Sequence, residues 1–276
     1  MKPYLKTIDH AVSKEPFELF WDEELDMLST RPQPQDLAPY YDSGDYISHT
    51  DAKSSPLERL YQLVKRINLS NKLQYIDNQE DKSKSLLDIG AGTGDFLLRA
   101  KSRGFEVQGM EPNAKARELA LQKGLPLASD WEGLPEGRYR YITLWHVLEH
   151  LPDLERQIQR IVSHLEPGGT LIVAVPNFKS HDAQYYGSHW AAYDVPRHLW
   201  HFSRTAIGKL FEPHGMEVRD VRPMWFDAFY VSLLSEKYRG SSWSWAKGFW
   251  VGLRSNLKAL RSGEHSSLVY LLKRKN

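Results

Sequence analysis

Length, composition and charge exclude several classes of protein. The chain has 276 residues and 41% of them are hydrophobic, which is sufficient for a packed core and argues against global disorder. Its 36 Lys and Arg residues nearly balance 35 Asp and Glu residues, so the formal charge is only +1 and differs from that of a dedicated nucleic-acid binder. The chain has no cysteine, which excludes disulfides, Cys-ligated zinc and a thiol nucleophile.

Targeting signals are also missing from the sequence. The first residues show no apolar core followed by a cleavage site, and no uninterrupted apolar run is long enough to span a bilayer. We therefore expect a cytoplasmic protein.

Residues 1–54 mix Pro, Asp, Tyr and Ser without sustained periodicity, and we interpret them as an irregular N-terminal arm with short elements. From Pro56 onwards, apolar residues recur at helical spacing and predict a helix. These residues are Leu57, Leu60, Tyr61, Val64 and Ile67.

Between about 85 and 175, short apolar runs alternate with amphipathic segments. The runs SLLDI, FEVQGM, PLAS, YITLW and TLIVAV predict strands, and DFLLRAKSR, NAKARELALQKG and LERQIQRIVSHL predict helices. This alternation predicts an α/β domain in which helices cover both faces of a parallel sheet.

The last hundred residues contain an aromatic and His-rich stretch at 179–203, which we interpret as a lid. A helix at 204–213, a strand near 217–223, a helical insertion at 225–265 and a closing strand follow. We expect one domain over 55–276 preceded by the arm.

Glycines follow the first predicted strand of this domain at alternate positions. Asp88 ends the strand, and Gly90, Gly92 and Gly94 allow the backbone to turn sharply and approach a ligand. Dinucleotides and S-adenosylmethionine both bind at such turns. Asp95 stands where the dinucleotide fingerprint has Gly or Ala, and its charge would repel a pyrophosphate. Glu111 ends the next strand, where a carboxylate can accept hydrogen bonds from ribose hydroxyls of either cofactor.

Four motifs in order extend this pattern: LLDIGAGTGDFL, GMEPN, ITLWHVLEHLPD and LEPGGTLIVAVPN. Together they resemble class I S-adenosylmethionine-dependent methyltransferases over about residues 85–178. The segments YISH and YDVPRHLWHFS resemble the ubiquinone-methylase-like bacterial small-molecule group. The resemblance implies a Rossmann-like fold with a mostly parallel seven-stranded sheet whose last strand is antiparallel. It also implies S-adenosylmethionine as cofactor, S-adenosylhomocysteine as product and a small-molecule acceptor.

The resemblance assigns cofactor contacts residue by residue. Asp88 and the glycine turn would hold the methionine part, Glu111 the ribose, Asp130 and Trp131 the adenine, and Trp145 and His146 would border the sulfonium. The full predicted set is Asp88, Gly90, Ala91, Gly92, Gly94, Glu111, Pro112, Asp130, Trp131, Trp145 and His146. A helix cap beside a packed aromatic is the other interpretation of Asp130 and Trp131.

The acceptor side is less sharply defined, because methylation can occur on oxygen, nitrogen or carbon of an aromatic, quinone-like or sugar acceptor. We take His146 and His198 as candidate bases, since imidazole titrates near neutrality. Substrate contacts are expected from His189, Tyr193, Arg197, His198 and His201. Each His of the lid could instead be a partly buried residue with a structural role. Arg197 could instead pair with Asp194. We expect His150 to make a structural hydrogen bond. We expect no metal site.

The insertion at 225–265 combines four Trp residues with six Lys and Arg residues. A helical cap over the sheet is one interpretation, and a membrane-surface contact is the other.

Two alternative functions also remain: a nicotinamide-dependent oxidoreductase on the same fold, and a non-catalytic S-adenosylmethionine-binding module.

Overall fold

The N-terminal segment forms a small antiparallel sheet. The computed structural model describes residues 1–41, 67–76 and 83–275. Strands β1 (Lys2–Ile8), β2 (Pro16–Asp22) and β3 (Met27–Arg31) pair in sequence, and β3 also pairs with β8 (Trp200–Phe202). The expectation of an irregular arm is therefore wrong for these residues. Its strands are stabilised by a partner far along the chain, which no local pattern reveals.

A six-stranded sheet forms the centre of the molecule, in the order β5-β4-β6-β7-β10-β9. These strands are β4 (Ser85–Ile89), β5 (Glu106–Met110), β6 (Tyr139–Trp145), β7 (Leu165–Pro176), β9 (Met216–Pro223) and β10 (Ser267–Arg274). β5, β4, β6 and β7 pair in parallel, whereas β10 is antiparallel to both β7 and β9. The predicted antiparallel last strand is confirmed.

The predicted strand PLAS is the exception. It contributes a single parallel bridge between Ala128 and Met110 in place of a strand. The sheet consequently has six strands in the described residues, and the expected seventh is reduced to that bridge. Pro126 cannot donate a ladder hydrogen bond, and the next residues turn at Asp130.

Helices cover both faces of the sheet. They are α1 (Ala38–Tyr41), α2 (67–74), α3 (Asp95–Lys101), α4 (Ala114–Gln122), α5 (Leu154–Ser163), α6 (His181–Tyr186), α7 (Ala206–Phe211), α8 (Asp227–Tyr238) and α9 (Ser244–Ser262). On one face Ile142 and Leu144 pack against α5 and α7, and on the other Leu86 and Tyr141 pack against α2 and α3. The helix predicted from Pro56 and the YISH segment lie outside the described residues.

The helical insertion is present as the hairpin of α8 and α9, and its base is fixed by a buried carboxylate. Asp182 of α6 accepts hydrogen bonds from Trp190 Nε1 (2.8 Å), Ser255 Oγ (2.6 Å) and Ser266 Oγ (2.7 Å). This single side chain therefore links the lid, α9 and the start of β10. In the described part of the chain, no helix combines the length and apolar character needed to cross a bilayer.

Candidate functional site

The glycine turn after β4 adopts the backbone conformation that its sequence predicts. Gly90, Gly92 and Gly94 have φ angles of 71°, 54° and 78°, in the left-handed region that favours glycine. A Cβ on Gly90 would lie 2.4 Å from Val147 Cγ2, and one on Gly94 2.5 Å from Leu125 Cδ2. A Cβ on Gly92 would meet no atom within 4 Å. Gly90 and Gly94 are thus needed for packing, while Gly92 faces open space where a ligand can approach.

Glu111, which follows β5, is hydrogen-bonded to this turn. Its carboxylate accepts hydrogen bonds from the N–H of Gly92 (2.9 Å) and from the N–H of Asn113 (2.8 Å). The N–H groups of Gly90 and Ala91 donate to the carbonyl of Met110, so backbone and side chain hold the two loops together. The carbonyl of Pro112 accepts from Arg117 Nη1 (2.7 Å). These contacts bring the predicted residues of the two loops into one site.

Asp88 is buried at the end of β4, behind the turn. It accepts a hydrogen bond from Thr143 Oγ1 at 2.6 Å. Burial raises the pKa of Asp88 to about 7, although that hydrogen bond and the positive charge of Lys72 act in the opposite direction. The carboxyl group therefore titrates near neutrality, and a nearby cation would favour its ionised form.

Lys72 of α2 joins the site, and the sequence analysis did not anticipate it. Its Nζ lies 4.5 Å from the ring centroid of Trp145. Burial lowers the pKa of Lys72, whereas the charges of Asp88 and Asp227 favour the ammonium form. No local pattern in the sequence marks Lys72 as a neighbour of Trp145 and Asp88.

Trp145 ends β6 among aromatic neighbours. Its ring contacts Tyr75 at 6.0 Å and meets Phe96 edge-on at 5.6 Å between centroids. The indole Nε1 is buried and has no hydrogen-bond acceptor among the described residues. A buried N–H without a partner is costly, so this atom is a natural contact for a ligand acceptor.

His146 follows with a φ of 58°, an unusual value for a residue with a Cβ. The turn directs its imidazole between two carboxylates, with Nε2 3.0 Å from Asp227 Oδ2 and Nδ1 3.4 Å from Glu149 Oε1. The second distance is long for a hydrogen bond, and we treat it as an ion pair. Burial alone would lower the pKa of His146, but Asp227 and Glu149 raise it to about 10. An ordinary imidazole was expected from the sequence, whereas the two carboxylates of the structure favour the imidazolium form of His146.

Glu149, His150 and His198 form a cluster beside His146. Their potential ligand atoms all lie within 4.8 Å of one another, so together they could bind a cation. His150 Nδ1 lies 3.0 Å from the carbonyl of Arg197 and 2.9 Å from Tyr41 Oη. Burial lowers the pKa of His150 to about 4, which keeps it neutral. The structural interpretation of His150 fits these contacts, and the absence of a metal stays a prediction.

Three of the predicted substrate residues of the lid lie close together, because the ring centroid of His201 is 5.4 Å from that of Tyr193 and 6.3 Å from that of His198. His198 joins the cluster, with its ring centroid 4.5 Å from that of His150. Arg197 pairs with Asp194 and donates to the carbonyl of Tyr40, which fits the ion-pairing alternative, and its contact with the acceptor stays a prediction. Tyr193 is buried edge-on against Trp190.

His201 and His189 contact residues of the N-terminal segment. His201 is buried with Nε2 3.0 Å from Thr30 Oγ1, and burial lowers its pKa well below the usual value. The ring of His189 lies 5.1 Å from that of His10 in a tilted arrangement, and both residues line a groove of about 600 Å³ over the N-terminal sheet that none of the predicted cofactor residues lines. These contacts fit the structural alternatives, and substrate binding by His189 and His201 stays a prediction.

Asp130 and Trp131 follow the bridge at Ala128. Asp130 is exposed, and its carboxylate accepts from the N–H of Gly133 (3.0 Å) and Ser129 Oγ (2.8 Å). Trp131 donates to Gln157 Oε1 of α5 at 3.1 Å. Trp131 packs as the alternative interpretation expected, but Asp130 caps a turn and not a helix, and binding of adenine by this pair stays a prediction.

Comparison with known proteins agrees with this geometry. Residues 59–221, more than half of the chain, match the family described as "Methyltransferase domain". The ubiquinone biosynthesis O-methyltransferase of Aeromonas salmonicida is 27% identical over 154 residues, covering 50% of this chain and 65% of that enzyme. The same enzyme of Chromobacterium violaceum is 22% identical over 173 residues, covering 56% and 75%. The ajmaline N-methyltransferase of Rauvolfia serpentina is 25% identical over 113 residues, covering 36% and 38%.

Solved structures share the fold. Magnesium protoporphyrin IX methyltransferase from Synechocystis PCC 6803, with bound S-adenosylhomocysteine, aligns with a TM-score of 0.57 at 13% identity, over 86% of this chain and 97% of that one. These findings do not support a nicotinamide-dependent oxidoreductase. The chain belongs to the methyltransferase-domain family and is a class I enzyme whose cofactor is S-adenosylmethionine.

Proposed function

We propose that the cofactor binds over Gly92, with its ribose hydroxyls donating to Glu111 and its amino-acid part lying between Asp88 and Lys72. The observation that carries this proposal is the open space at Gly92, where a Cβ would meet no atom within 4 Å although the flanking glycines are tightly packed. Lys72 offers a desolvated ammonium for the cofactor carboxylate, and Trp145 Nε1 an unused donor. Bound S-adenosylmethionine supplies a methyl group activated by an adjacent sulfonium.

The acceptor that we propose is a small aromatic molecule bearing a hydroxyl group. Two of the relatives above are named as ubiquinone biosynthesis O-methyltransferases, which supports O-methylation of a phenolic ring. Aromatic side chains at the end of β6 favour a planar acceptor. Amine and sugar acceptors are the alternatives.

His146 is the residue that we propose to take up the acceptor proton. The pKa of about 10 that two carboxylates give to its imidazolium matches that of an ordinary phenol, so proton transfer between them is nearly balanced. In the reaction the C–S bond breaks, a C–O bond forms and the hydroxyl proton passes to the neutral imidazole of His146. Glu149 and Asp227 then stabilise the imidazolium. His198, the other candidate base, lies beside Glu149 and would act by holding that carboxylate in place.

Calorimetry with S-adenosylhomocysteine tests the cofactor site. The variant Gly92→Ala places a methyl group in the ligand space, and we expect a loss of affinity of about 50-fold or more. Gly124→Ala is the matched control, because Gly124 has a φ of 76° and equally open surroundings but follows α4. It imposes the same backbone strain and should leave the affinity unchanged. Equal effects of the two variants, or binding of a nicotinamide dinucleotide in place of S-adenosylhomocysteine, would reject the site.

Acceptor class is tested by measuring S-adenosylhomocysteine release with a catechol, an aromatic amine and a sugar under identical conditions. We expect turnover with the catechol only, and a methyl ether as the product by mass spectrometry. Turnover with only the amine or only the sugar would reject the phenolic acceptor and assign that other class in its place. The cytoplasmic location remains part of this proposal and rests on the sequence.

A further inference from the structure

Helix α9 carries three distinct faces along its length. Its buried face consists of the small residues Gly248, Gly252, Ser255 and Ala259 together with Asn256, which donates to the carbonyl of Trp225. An apolar stripe follows at helical spacing, with Trp250, Leu253, Leu257 and Leu260 three or four residues apart. A basic stripe of Lys247, Arg254, Lys258 and Arg261 lies beside it, and these four side chains are exposed.

The apolar stripe is turned to solvent to an unusual degree. Its members Trp250, Leu257 and Leu260 and the neighbouring Trp245 and Phe249 have exposures between 51% and 68%, and Leu253 is half-buried. Large apolar side chains in a contiguous exposed stripe mark a contact surface, whereas isolated ones need no explanation. Trp243 at the start of the helix and Tyr230 of α8 are also exposed.

Helix α9 cannot rotate to bury these side chains. A Cβ on Gly248 would lie 2.8 Å from the Cα of Leu233, and one on Gly252 2.8 Å from the carbonyl oxygen of Ala228. Backbone contact this close allows only glycine toward α8. Ser255 Oγ donates to Asp182 (2.6 Å) and fixes the rotation further, so the outward direction of the aromatic residues is built into the fold.

Charge distinguishes between the possible occupants of this surface. Residues 244–262 contain four cations and no Asp or Glu, which gives α9 a charge of +4 in a chain whose net charge is +1. None of the four pairs with a carboxylate in the part of the chain that the structure describes. A second copy docked face to face would oppose four cations to four cations, and a nucleic acid would leave the apolar stripe exposed.

From these observations we propose that α9 lies in the surface plane of an anionic lipid bilayer. Its apolar stripe would enter the interface, and its four cations would lie at the phosphate groups. Trp residues favour the level of the headgroups, and Lys and Arg beside an apolar stripe can extend to that level. The helix has 19 residues. At about 1.5 Å per residue it is a short rod suited to lie along the surface. The hairpin also carries Asp227 at the start of α8, so the docked helix and the reaction site share one structural unit.

Vesicle co-sedimentation of the full chain tests this proposal. We expect binding to vesicles of phosphatidylcholine with about 30% phosphatidylglycerol, no binding to pure phosphatidylcholine, and weakening by salt. Binding should also shift tryptophan emission to shorter wavelength. No sedimentation with the anionic vesicles at low salt would overturn the proposal.

Two variants separate the contributions of charge and apolar contact. Each cation near an anionic surface contributes about fivefold in affinity, so Lys247→Glu/Arg254→Glu/Lys258→Glu should lose at least about 100-fold. Trp250→Ser/Leu257→Ser should lose at least about tenfold. Lys101→Glu/Lys115→Glu and Leu121→Ser, exposed positions on α3 and α4, are the matched controls and should bind as the native chain does.

Two further measurements make the result decisive. S-adenosylhomocysteine binding is the control for folding and must be equal in all variants. If the double apolar variant no longer binds S-adenosylhomocysteine, Arg254→Glu alone serves as the test. Its affinity for anionic vesicles should fall about fivefold or more. Light scattering reports on a second copy. A dimer that the apolar variant dissociates, together with vesicle binding that no variant alters, would assign the surface to self-association and overturn the proposal.

Discussion

Asp227, the first residue of α8, lies 3.0 Å from the imidazole of His146 at the end of β6. The helical insertion therefore supplies a carboxylate to the edge of the sheet where we propose that the cofactor and acceptor meet. An insertion that looks peripheral in the sequence is thus part of the site, and it determines the ionisation of the residue nearest to the expected reaction.

This pair predicts a pH-dependent reaction rate. Because the pKa of His146 is raised to about 10, its neutral form is scarce at pH 7 and increases about tenfold per pH unit. We expect kcat/KM to rise from pH 7 towards pH 10, and His146→Gln to lose about 100-fold at pH 8. Asp227→Asn should move the rise to lower pH, because it removes one of the two charges that stabilise the imidazolium. A flat profile for the native chain would show that His146 does not accept the proton.

The same pKa predicts a pH-dependent stability. A folded-state pKa above the unfolded value of about 6.5 stabilises the fold fully below pH 6.5, and this stabilisation is lost as the pH rises through about 10. The side chain is 34% exposed. Allowing for solvent screening, we estimate the contribution at about 1–2 kcal/mol. Urea unfolding of the native chain and of His146→Gln at pH 6.5 and 9.5 measures this contribution. If the free energies of unfolding of the two chains differed by the same amount at both pH values, the raised pKa of His146 would be contradicted.

Asp88 predicts a different pH effect, on cofactor affinity. Its pKa of about 7 means that the carboxyl group loses its proton between pH 6 and 8, and the carboxylate then attracts the ammonium group of the cofactor. Affinity for S-adenosylhomocysteine should rise about tenfold over this range. Asp88→Asn retains an acceptor for Thr143 and should abolish the rise. Thr143→Val is a useful second variant, since loss of that hydrogen bond should move the rise to higher pH.

Lys72 is predicted to bind the other end of the same cofactor part. Lys72→Met retains the stem over Trp145 but removes the ammonium, and we expect about tenfold weaker binding of S-adenosylhomocysteine with little change in unfolding. Lys101→Met on the exposed end of α3 is the matched control. Binding of adenosine, which has no carboxylate, should be the same in the native chain and both variants, and an equal loss for adenosine would indicate a packing defect.

The sequence was informative where the structure depends on neighbours along the chain. Alternation of apolar runs and amphipathic segments predicted β4 to β7 with their helices, and the Gly-x-Gly-x-Gly spacing predicted the turn at Gly92. Partners distant in sequence were missed, because β3 meets β8, and Asp227 meets His146, only in the folded chain. The raised pKa of His146 could not be foreseen, since it follows from those tertiary contacts.

Asp182 gives a last prediction, on the attachment of the lid to the hairpin. The side chain is fully buried and its carboxylate satisfies Trp190, Ser255 and Ser266. Asp182→Ala leaves three buried donors without an acceptor and should lower the free energy of unfolding by about 3 kcal/mol. Asp182→Asn should cost about 1 kcal/mol, because its oxygen can serve Trp190 and Ser266 while its amide donates to the hydroxyl of Ser255. Asp153→Asn, an exposed position before α5, is the control for the chemical change. If Asp182→Ala unfolded at the same urea concentration as this control, the carboxylate would not be the link between lid and hairpin.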